Sequence, residues 1–197
     1  MRVLLRGKKA LVVAAIAVLA LWGCAATLPF EQTLREQAAP TVRILKGDSG
    51  NCSAVVVAPG YAFTARHCKD IVSSKVDGHP IAEWREFSSK DLAIVKVPGL
   101  LCPCAVASSP PLAGERVSAI GFPYGIGLTL TYGEAQGDVF YENERYAHHT
   151  AFTMPGMSGG GIFTLRGGRV ILVAITSRSA GSSTLSVAVD GLYPRVR

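Results

Sequence analysis

Short apolar or alternating runs, each broken by glycine or proline, are the feature of this 197-residue chain that most limits its fold. Ten such runs follow one another between Thr41 and Val189, and no long stretch has the hydrophobic period of a helix. Many short strands at close spacing are typical of an all-β sandwich or barrel. We therefore predict strands over residues 41–45, 53–58, 62–65, 91–97, 116–120, 128–133, 138–141, 161–165, 169–176 and 184–189.

The first residues have the composition of an export signal. Residues 1–9 contain four basic residues and no acidic one, and residues 10–22 form an uncharged apolar stretch. This stretch is shorter than the roughly 20 residues that a transmembrane helix needs. It runs into the sequence LWGC, which ends at Cys24 and resembles the lipobox of bacterial lipoproteins, in which the cysteine becomes the lipidated first residue.

Three outcomes stay open at this end of the chain: lipidation at Cys24, ordinary cleavage near Ala25 or Ala26, and retention as an uncleaved anchor. All three place the remaining residues outside the cytoplasm, where disulfides persist. We predict a lipoprotein-type signal peptide over residues 1–23 and a tether over residues 24–40. The protein is then periplasmic and anchored to the membrane as a lipoprotein, with secretion as the alternative.

The charge balance argues against a nucleic-acid partner. The whole chain has a net charge of +6, but four of its 20 basic residues leave with the signal, so 16 basic residues face 14 acidic ones and the net charge becomes +2. No run combines dense lysine and arginine with stacking aromatic residues. We also expect no metal and no cofactor, because the adjacent pair His148 and His149 has no further ligands at zinc spacing.

Three motifs carry the residue types that nucleophilic catalysis needs. TARHC contains His67, DLAIVK begins with Asp91, and PGMSGGG places Ser158 in a glycine-rich turn. A hydroxyl is a poor nucleophile at neutral pH, so it needs an imidazole to accept its proton and a carboxylate to fix the tautomer of that imidazole. Each motif alone has an ordinary structural interpretation, and the catalytic hypothesis depends on all three together.

In these motifs, and in their order along the chain, the sequence resembles the trypsin-like (chymotrypsin-fold) serine proteases, especially the protease domain of the HtrA/Deg type. The resemblance covers about residues 41–190. It implies an all-β fold of two packed six-stranded antiparallel barrels, with the catalytic cleft between them. We expect one protease domain over residues 41–197, without the PDZ domain of full-length HtrA proteases.

The resemblance also implies a mechanism and a partner. Ser158 attacks the scissile carbonyl, His67 accepts its proton, and Asp91 orients the imidazole, which leads to an acyl-enzyme intermediate. The backbone N–H groups of Gly156 and Ser158 bind the oxyanion. Met157 stands where many digestive relatives have an aspartate that receives a new amino terminus, so we expect activity without such activation cleavage. The partner is a protein or peptide substrate.

Two cysteine pairs have different interpretations. Cys52 and Cys68 resemble the family disulfide that fastens the histidine loop to the preceding strand, and two unrelated buried thiols are the alternative. For Cys102 and Cys104, three states stay open: a small disulfide ring, partial oxidation and an intermolecular bridge. We interpret the second pair as part of a structural bend, because the C-x-x-C redox motif has two intervening residues.

The family motif also implies the residues that contact substrate. Phe152 and Thr153 form the wall and floor of the S1 pocket, and Thr176, Ser177 and Arg178 lie on the strand that pairs with the substrate backbone. The chain has no aspartate at the S1 position that favours basic P1 residues, so we expect a small apolar P1 residue. An acidic P1 residue, attracted by Arg178, is the alternative. The alternative function is a non-hydrolytic peptide- or protein-binding module on the same fold.

Overall fold

The computed structural model describes residues 29–71, 75–180 and 183–189, and most of its regular structure is β-strand. The strands form one seven-stranded sheet and one closed six-stranded barrel. The predicted all-β fold with two β units is therefore confirmed. The first unit differs from the prediction, because it is a curled open sheet and not a closed six-stranded barrel.

The first sheet contains the strands of the amino-terminal half. Among the described strands their order is β5-β4-β1-β2-β3-β7-β6, so β5 and β6 are the edges and no pairing between them closes the sheet. The paired neighbours are antiparallel. The strands are β1 (Val42–Gly47), β2 (Gly50–Ala58), β3 (Tyr61–Thr64), β4 (Lys75–Val76), β5 (His79–Pro80), β6 (Glu83–Phe87) and β7 (Leu92–Lys96).

The second unit is a closed antiparallel barrel with the order β10-β13-β12-β11-β8-β9. One of its strands, β9, joins two runs that the sequence predicts as separate strands, because the backbone stays extended through Gly133 and pairs across Gly137. The strands are β8 (Arg116–Gly121), β9 (Thr129–Tyr141), β10 (Glu144–His149), β11 (Gly161–Arg166), β12 (Arg169–Ala180) and β13 (Ser183–Ala188).

A helical segment precedes the first strand, within the residues predicted as a tether. Leu34 and Ala38 lie one turn apart on it and are fully buried in a cluster that includes barrel residues. The ring of Phe30 packs edge-on against Tyr132 at 6.3 Å and under the guanidinium of Arg116 at 4.5 Å. This part of the expected tether is a packed element of the fold. It consists of α1 (Phe30–Thr33), a π-helix (Leu34–Ala38) and a 3-10 turn (Ala39–Thr41).

The buried core fixes the two units against each other. One cluster lies in the first sheet and another in the barrel. A third cluster contains Val55 and Phe63 of the first sheet together with Phe163 and Leu172 of the barrel. Each such side chain stabilises the fold by about 1.5–3 kcal/mol when buried. Because the third cluster contains side chains of both units, burying it also holds the units together.

The predicted signal peptide and Cys24 lie outside the described residues. Among the residues that the structure does describe, no helix combines the length and the apolar character that crossing a membrane requires. Export and lipid attachment therefore stay predictions from the sequence.

Candidate active site

His67 and Asp91 meet at the ends of two paired strands of the first sheet. His67 follows β3 and directly precedes the one-turn helix α2 (Cys68–Ile71), while Asp91 directly precedes β7, which pairs with β3. Nδ1 of His67 lies 2.8 Å from Oδ2 of Asp91, and the backbone N–H of His67 donates to Oδ1 at 3.0 Å. An ionised carboxylate only accepts, so Nδ1 carries the proton and Nε2 is left as an acceptor.

Asp91 is buried, with 2% of its surface exposed, and it is also bound from the barrel. The hydroxyl of Ser177 in β12 donates to Oδ2 of Asp91. Burial alone raises the pKa of a carboxyl, but the hydrogen bonds from His67 and Ser177 outweigh it and hold the pKa of Asp91 below its ordinary value. The carboxylate is therefore ionised at neutral pH, and it ties the first sheet to the barrel.

A disulfide lies beside His67. It joins Cys52 of β2 to Cys68, the residue after His67, with the Cα atoms 6.2 Å apart, within the ordinary range. The start of α2 is thereby fastened to β2. Cys52, His67 and Cys68 also bring three potential metal-ligating atoms within 4.8 Å of one another. Because the two sulfurs are bonded to each other, neither is a thiolate that can hold a metal ion.

Ser158 lies on a turn just before β11, packed against the first sheet. Its carbonyl oxygen accepts a 2.7 Å hydrogen bond from the N–H of Ser53 in β2 and lies 3.8 Å from Sγ of Cys68. The next residue, Gly159, has a φ of +81°, and a Cβ there would lie 2.1 Å from the carbonyl oxygen of Ser53 and 2.2 Å from Oγ1 of Thr64. Only glycine fits at this position.

The carbonyl groups that precede Ser158 are occupied by other hydrogen bonds. The oxygen of Pro155 accepts from the N–H of Tyr124 at 2.8 Å, and the oxygen of Gly156 accepts from the hydroxyl of Ser53 at 2.9 Å. In the described part of the chain, the N–H groups of Gly156 and Ser158 donate to no acceptor. Two such N–H groups on one turn can bind an oxygen that becomes negatively charged.

Ser53 is a site residue that the sequence did not reveal. Its side chain is fully buried, and the hydroxyl both donates to Gly156 and accepts from the N–H of Phe122 at 2.9 Å. The side-chain amide of Asn51 donates to the carbonyl oxygen of the same Phe122 at 3.1 Å. Gly156 has a φ of +93°, and a Cβ there would lie 2.4 Å from Nδ2 of Asn51. The only sequence signal was the position of Ser53 next to Cys52.

No hydrogen bond between Nε2 of His67 and Oγ of Ser158 occurs among the described residues. Catalytic hydrogen bonds are often long without substrate and shorten when it binds. The two residues still share one region of the molecule, because the Ser158 turn contacts Cys68 directly after His67. The structure thus pairs His67 with Asp91 and places the Ser158 turn beside the residue that follows His67.

The residues expected in the S1 pocket have contrasting environments. The side chain of Phe152 is 58% exposed, so it does not form a buried wall. Thr153 is 5% exposed, and its hydroxyl lies 3.0 Å from that of Thr184 and 3.1 Å from that of Ser179. The hydroxyl of Thr184 donates in turn to a backbone carbonyl. These hydroxyls form an uncharged chain of hydrogen bonds.

The expected substrate strand in β12 also divides into different environments. The N–H and C=O groups of Thr176 bond to Gly160 and Gly159 at 2.8 Å, so they hold the Ser158 turn. The side chain of Ser177 is committed to the carboxylate contact described above. Arg178 is exposed and pairs with Glu142 at 2.7 Å.

A cleft of about 360 Å³ opens beside His67. In the described part of the chain its lining contains no apolar side chain, so the cleft suits a solvated peptide segment better than an apolar small molecule. Lys69 on its wall is paired with Glu86 at 2.5 Å. The lining residues are Arg66, His67, Lys69, Asp70, Glu86, Asp91 and Arg178.

Comparisons relate the chain to a family and to solved structures. A family model described as the trypsin-like peptidase domain matches residues 52–174, whereas no curated protein matches the sequence. The inactive form of the Rv3671c protease from M. tuberculosis has a TM-score of 0.66 at 18% identity, with 83% of this chain and 90% of that chain covered.

Two further solved structures have the same fold. The HtrA-type protease AlgW with a tripeptide gives a TM-score of 0.67 at 23% identity, with 85% of this chain and 62% of that chain covered. The serine endoprotease from Yersinia pestis gives 0.69 at 21% identity, with 85% and 65% covered. This chain therefore spans less than two thirds of the length of both proteins.

Proposed function

The chain belongs to the trypsin-like peptidase family, and we propose that it cleaves proteins or peptides with Ser158 as nucleophile, His67 as general base and Asp91 as the residue that orients the base. Membership makes it a serine endopeptidase. One observation carries the residue assignment: Nδ1 of His67 lies 2.8 Å from Oδ2 of Asp91, beside a turn with two unbonded N–H groups among the described residues.

The proposed reaction passes through an acyl-enzyme. Oγ of Ser158 attacks the scissile carbonyl carbon while its proton moves to Nε2 of His67. The N–H groups of Gly156 and Ser158 stabilise the resulting oxyanion, and ionised Asp91 stabilises the imidazolium. His67 then gives the proton to the leaving amine, and water releases the acyl group by the same route.

We assign a competent oxyanion site to the chain before substrate binds. The carbonyl groups of Pro155 and Gly156 are held by Tyr124 and Ser53, so neither occupies the place of the two N–H donors. Preorganised donors need no rearrangement at the moment of reaction, which is the main source of their effect on rate.

For the substrate, a small apolar P1 residue is the working proposal. The floor made by Thr153, Ser179 and Thr184 is uncharged, and its hydroxyls bond to one another, so it offers no counter-charge to Lys or Arg. Cleavage-site profiling on a peptide library tests this. Predominant cleavage after Arg, Lys or Glu contradicts it.

We further propose that the enzyme acts outside the cytoplasm and is held at the membrane through Cys24. The basic and apolar residues of the first 23 positions support export, and a structural disulfide is typical of oxidising compartments. Growth with an alkyne-tagged fatty acid is expected to label the chain. Cys24→Ser should lose the label and release the protein from membranes, and a variant that stays labelled contradicts lipidation at this residue.

Fluorophosphonate labelling of the oxidised protein tests the nucleophile. We expect wild type and Ser118→Ala to be labelled and Ser158→Ala to be unlabelled, with kcat about a millionfold lower in Ser158→Ala. Ser118 serves as the control because it is a fully buried serine of β8 outside the three motifs, whereas Ser158 is half-buried. A folded wild-type chain that binds peptides without being labelled favours the non-hydrolytic binding module.

A further inference from the structure

A second disulfide joins Cys102 and Cys104, and the proposed protease function makes no use of it. The two cysteines are two positions apart in sequence, whereas Cys52 and Cys68 are 16 apart. Cys102 is exposed and Cys104 half-buried, while Cys52 and Cys68 are 1% and 0% exposed. The described part of the chain therefore contains one enclosed and one accessible disulfide.

The short disulfide is not needed to hold its bend. A cross-link stabilises a fold mainly by restricting the unfolded chain, and this effect grows with the number of residues in the closed loop. A loop with Pro103 alone between the cysteines restricts little. The bend is also anchored on both sides, because Leu100 donates to the carbonyl of Val97 at 3.1 Å and Ala105 donates to that of Val56 at 2.7 Å.

The position of the pair favours attack at one sulfur. Cys104 packs against the buried cluster of the first sheet, whereas Cys102 is exposed. The neighbouring Leu101 is 71% exposed and Val106 is 57% exposed, so apolar surface lies on both sides of the pair in sequence. Exposed apolar side chains next to an accessible disulfide suit brief contact with another protein.

We propose that Cys102–Cys104 is a thiol–disulfide exchange site. An incoming thiolate attacks Sγ of Cys102 and forms a mixed disulfide there, while Sγ of Cys104 leaves as a thiolate. A second thiolate attacks the incoming sulfur of that mixed disulfide and releases Cys102 as a thiolate. Two thiols are thereby oxidised to one disulfide, and Cys102 and Cys104 take up the two electrons and the two protons as a dithiol.

The test compares the two disulfides in one molecule. The oxidised full-length protein is incubated with reduced glutathione under native conditions, quenched with acid and alkylated, and its cysteine peptides are quantified by mass spectrometry. We expect Cys102–Cys104 to open at least about tenfold faster than Cys52–Cys68, because exposed disulfides exchange more readily. A parallel reaction with reduced thioredoxin shows whether a protein thiol or a small thiol is the faster donor.

Two variants locate the attacked sulfur. Incubated with oxidised glutathione, Cys104→Ser should form a mixed disulfide at Cys102 and release reduced glutathione, and the matched Cys102→Ser should form less adduct on the half-buried Cys104. Equal opening rates of the two disulfides in wild type, or opening of Cys102–Cys104 only in denaturant, overturn the proposal. Fluorophosphonate labelling of Ser158 in the same samples reports on the protease separately, so failure of one assignment does not imply failure of the other.

Discussion

The hydroxyl of Ser53 donates a 2.9 Å hydrogen bond to the carbonyl oxygen of Gly156, although the two residues belong to different β units. The N–H of the same Ser53 donates to the carbonyl oxygen of Ser158 at 2.7 Å. One residue of β2 thereby holds both residues whose N–H groups we propose as oxyanion donors. The orientation of these donors depends on how the first sheet docks against the barrel.

Replacing Ser53 by alanine removes the donor to Gly156 and the acceptor for Phe122. We expect Ser53→Ala to lower kcat on the order of tenfold to a hundredfold with little change in KM, because oxyanion donors act mainly in the transition state. The control Ser118→Ala removes a buried hydroxyl that has no hydrogen-bond partner in the described part of the chain, so activity should persist. Equal losses of kcat in both variants would contradict the positioning role.

Asp91→Asn should keep the fold and lower kcat about ten-thousandfold, because the amide donates to Nδ1 of His67 and stabilises the wrong tautomer. Steady-state kinetics beside thermal unfolding separate these effects. Ser177→Ala, which removes one hydrogen bond and leaves the carboxylate, should lower kcat much less. If Asp91→Asn loses less than Ser177→Ala does, Asp91 does not orient the base.

Loss of the enclosed disulfide should destabilise the protein. The double variant Cys52→Ser, Cys68→Ser is expected to lower the free energy of unfolding by about 3 kcal/mol, as the chain-entropy model gives for a loop of this length. The matched double variant Cys102→Ser, Cys104→Ser should change it far less. Urea unfolding of the oxidised proteins measures both, and similar losses in the two variants speak against the difference we derive from loop length.

Leu34→Ala should lower the free energy of unfolding by about 2–5 kcal/mol, because it leaves a cavity in the cluster shared by the helical segment and the barrel. Arg35→Ala changes the adjacent exposed residue and should stay within about 0.5 kcal/mol of wild type. Chemical unfolding measures both variants. A Leu34→Ala protein as stable as Arg35→Ala is the result expected of a solvated tether.

His149 should make the protein less stable in mild acid. It is fully buried, with Nε2 2.9 Å from Oγ of Ser186, and burial together with nearby His148 lowers its pKa from 6.5 to about 4. Between these values the unfolded chain binds a proton that the folded chain does not, so stability falls as pH falls. We expect a loss of about 3 kcal/mol between pH 7 and pH 4.

Urea unfolding at pH 7 and pH 4 measures this loss, and His149→Gln should reduce it. Asp91 acts in a different window. Its lowered pKa gives stability that is present above its ordinary value of 3.8 and is lost only as pH falls further. If His149→Gln shows the same pH dependence as wild type, His149 is not the group that lowers stability in mild acid.

The strand pattern predicted the fold well where strands are buried. Each of the ten predicted runs overlaps a strand of the structure. The sequence missed β4 and β5, which are two residues long, and β6, an edge strand whose side chains are half-buried or exposed. It also missed β10, because the letters ERYAHH are mostly polar although Tyr146 and His149 are fully buried.

Only the motif residues of the site could be predicted from the sequence. His67, Asp91 and Ser158 stand in patterns of neighbouring residues that the sequence shows directly. The contacts of Ser53 with Gly156 and of Ser177 with Asp91 join positions 103 and 86 residues apart. A lone serine in an apolar run has no local pattern that indicates such a partner, so these roles emerge only when the two β units are docked.

The open first sheet has a consequence for aggregation. Its edge strand β6 presents the exposed charged side chains of Glu83, Arg85 and Glu86, and the opposite edge β5 contains Pro80, which has no N–H to donate. Charges and proline on edge strands oppose the addition of a strand from another molecule. The unit can therefore remain unclosed without offering a template on which further copies would stack into fibrils.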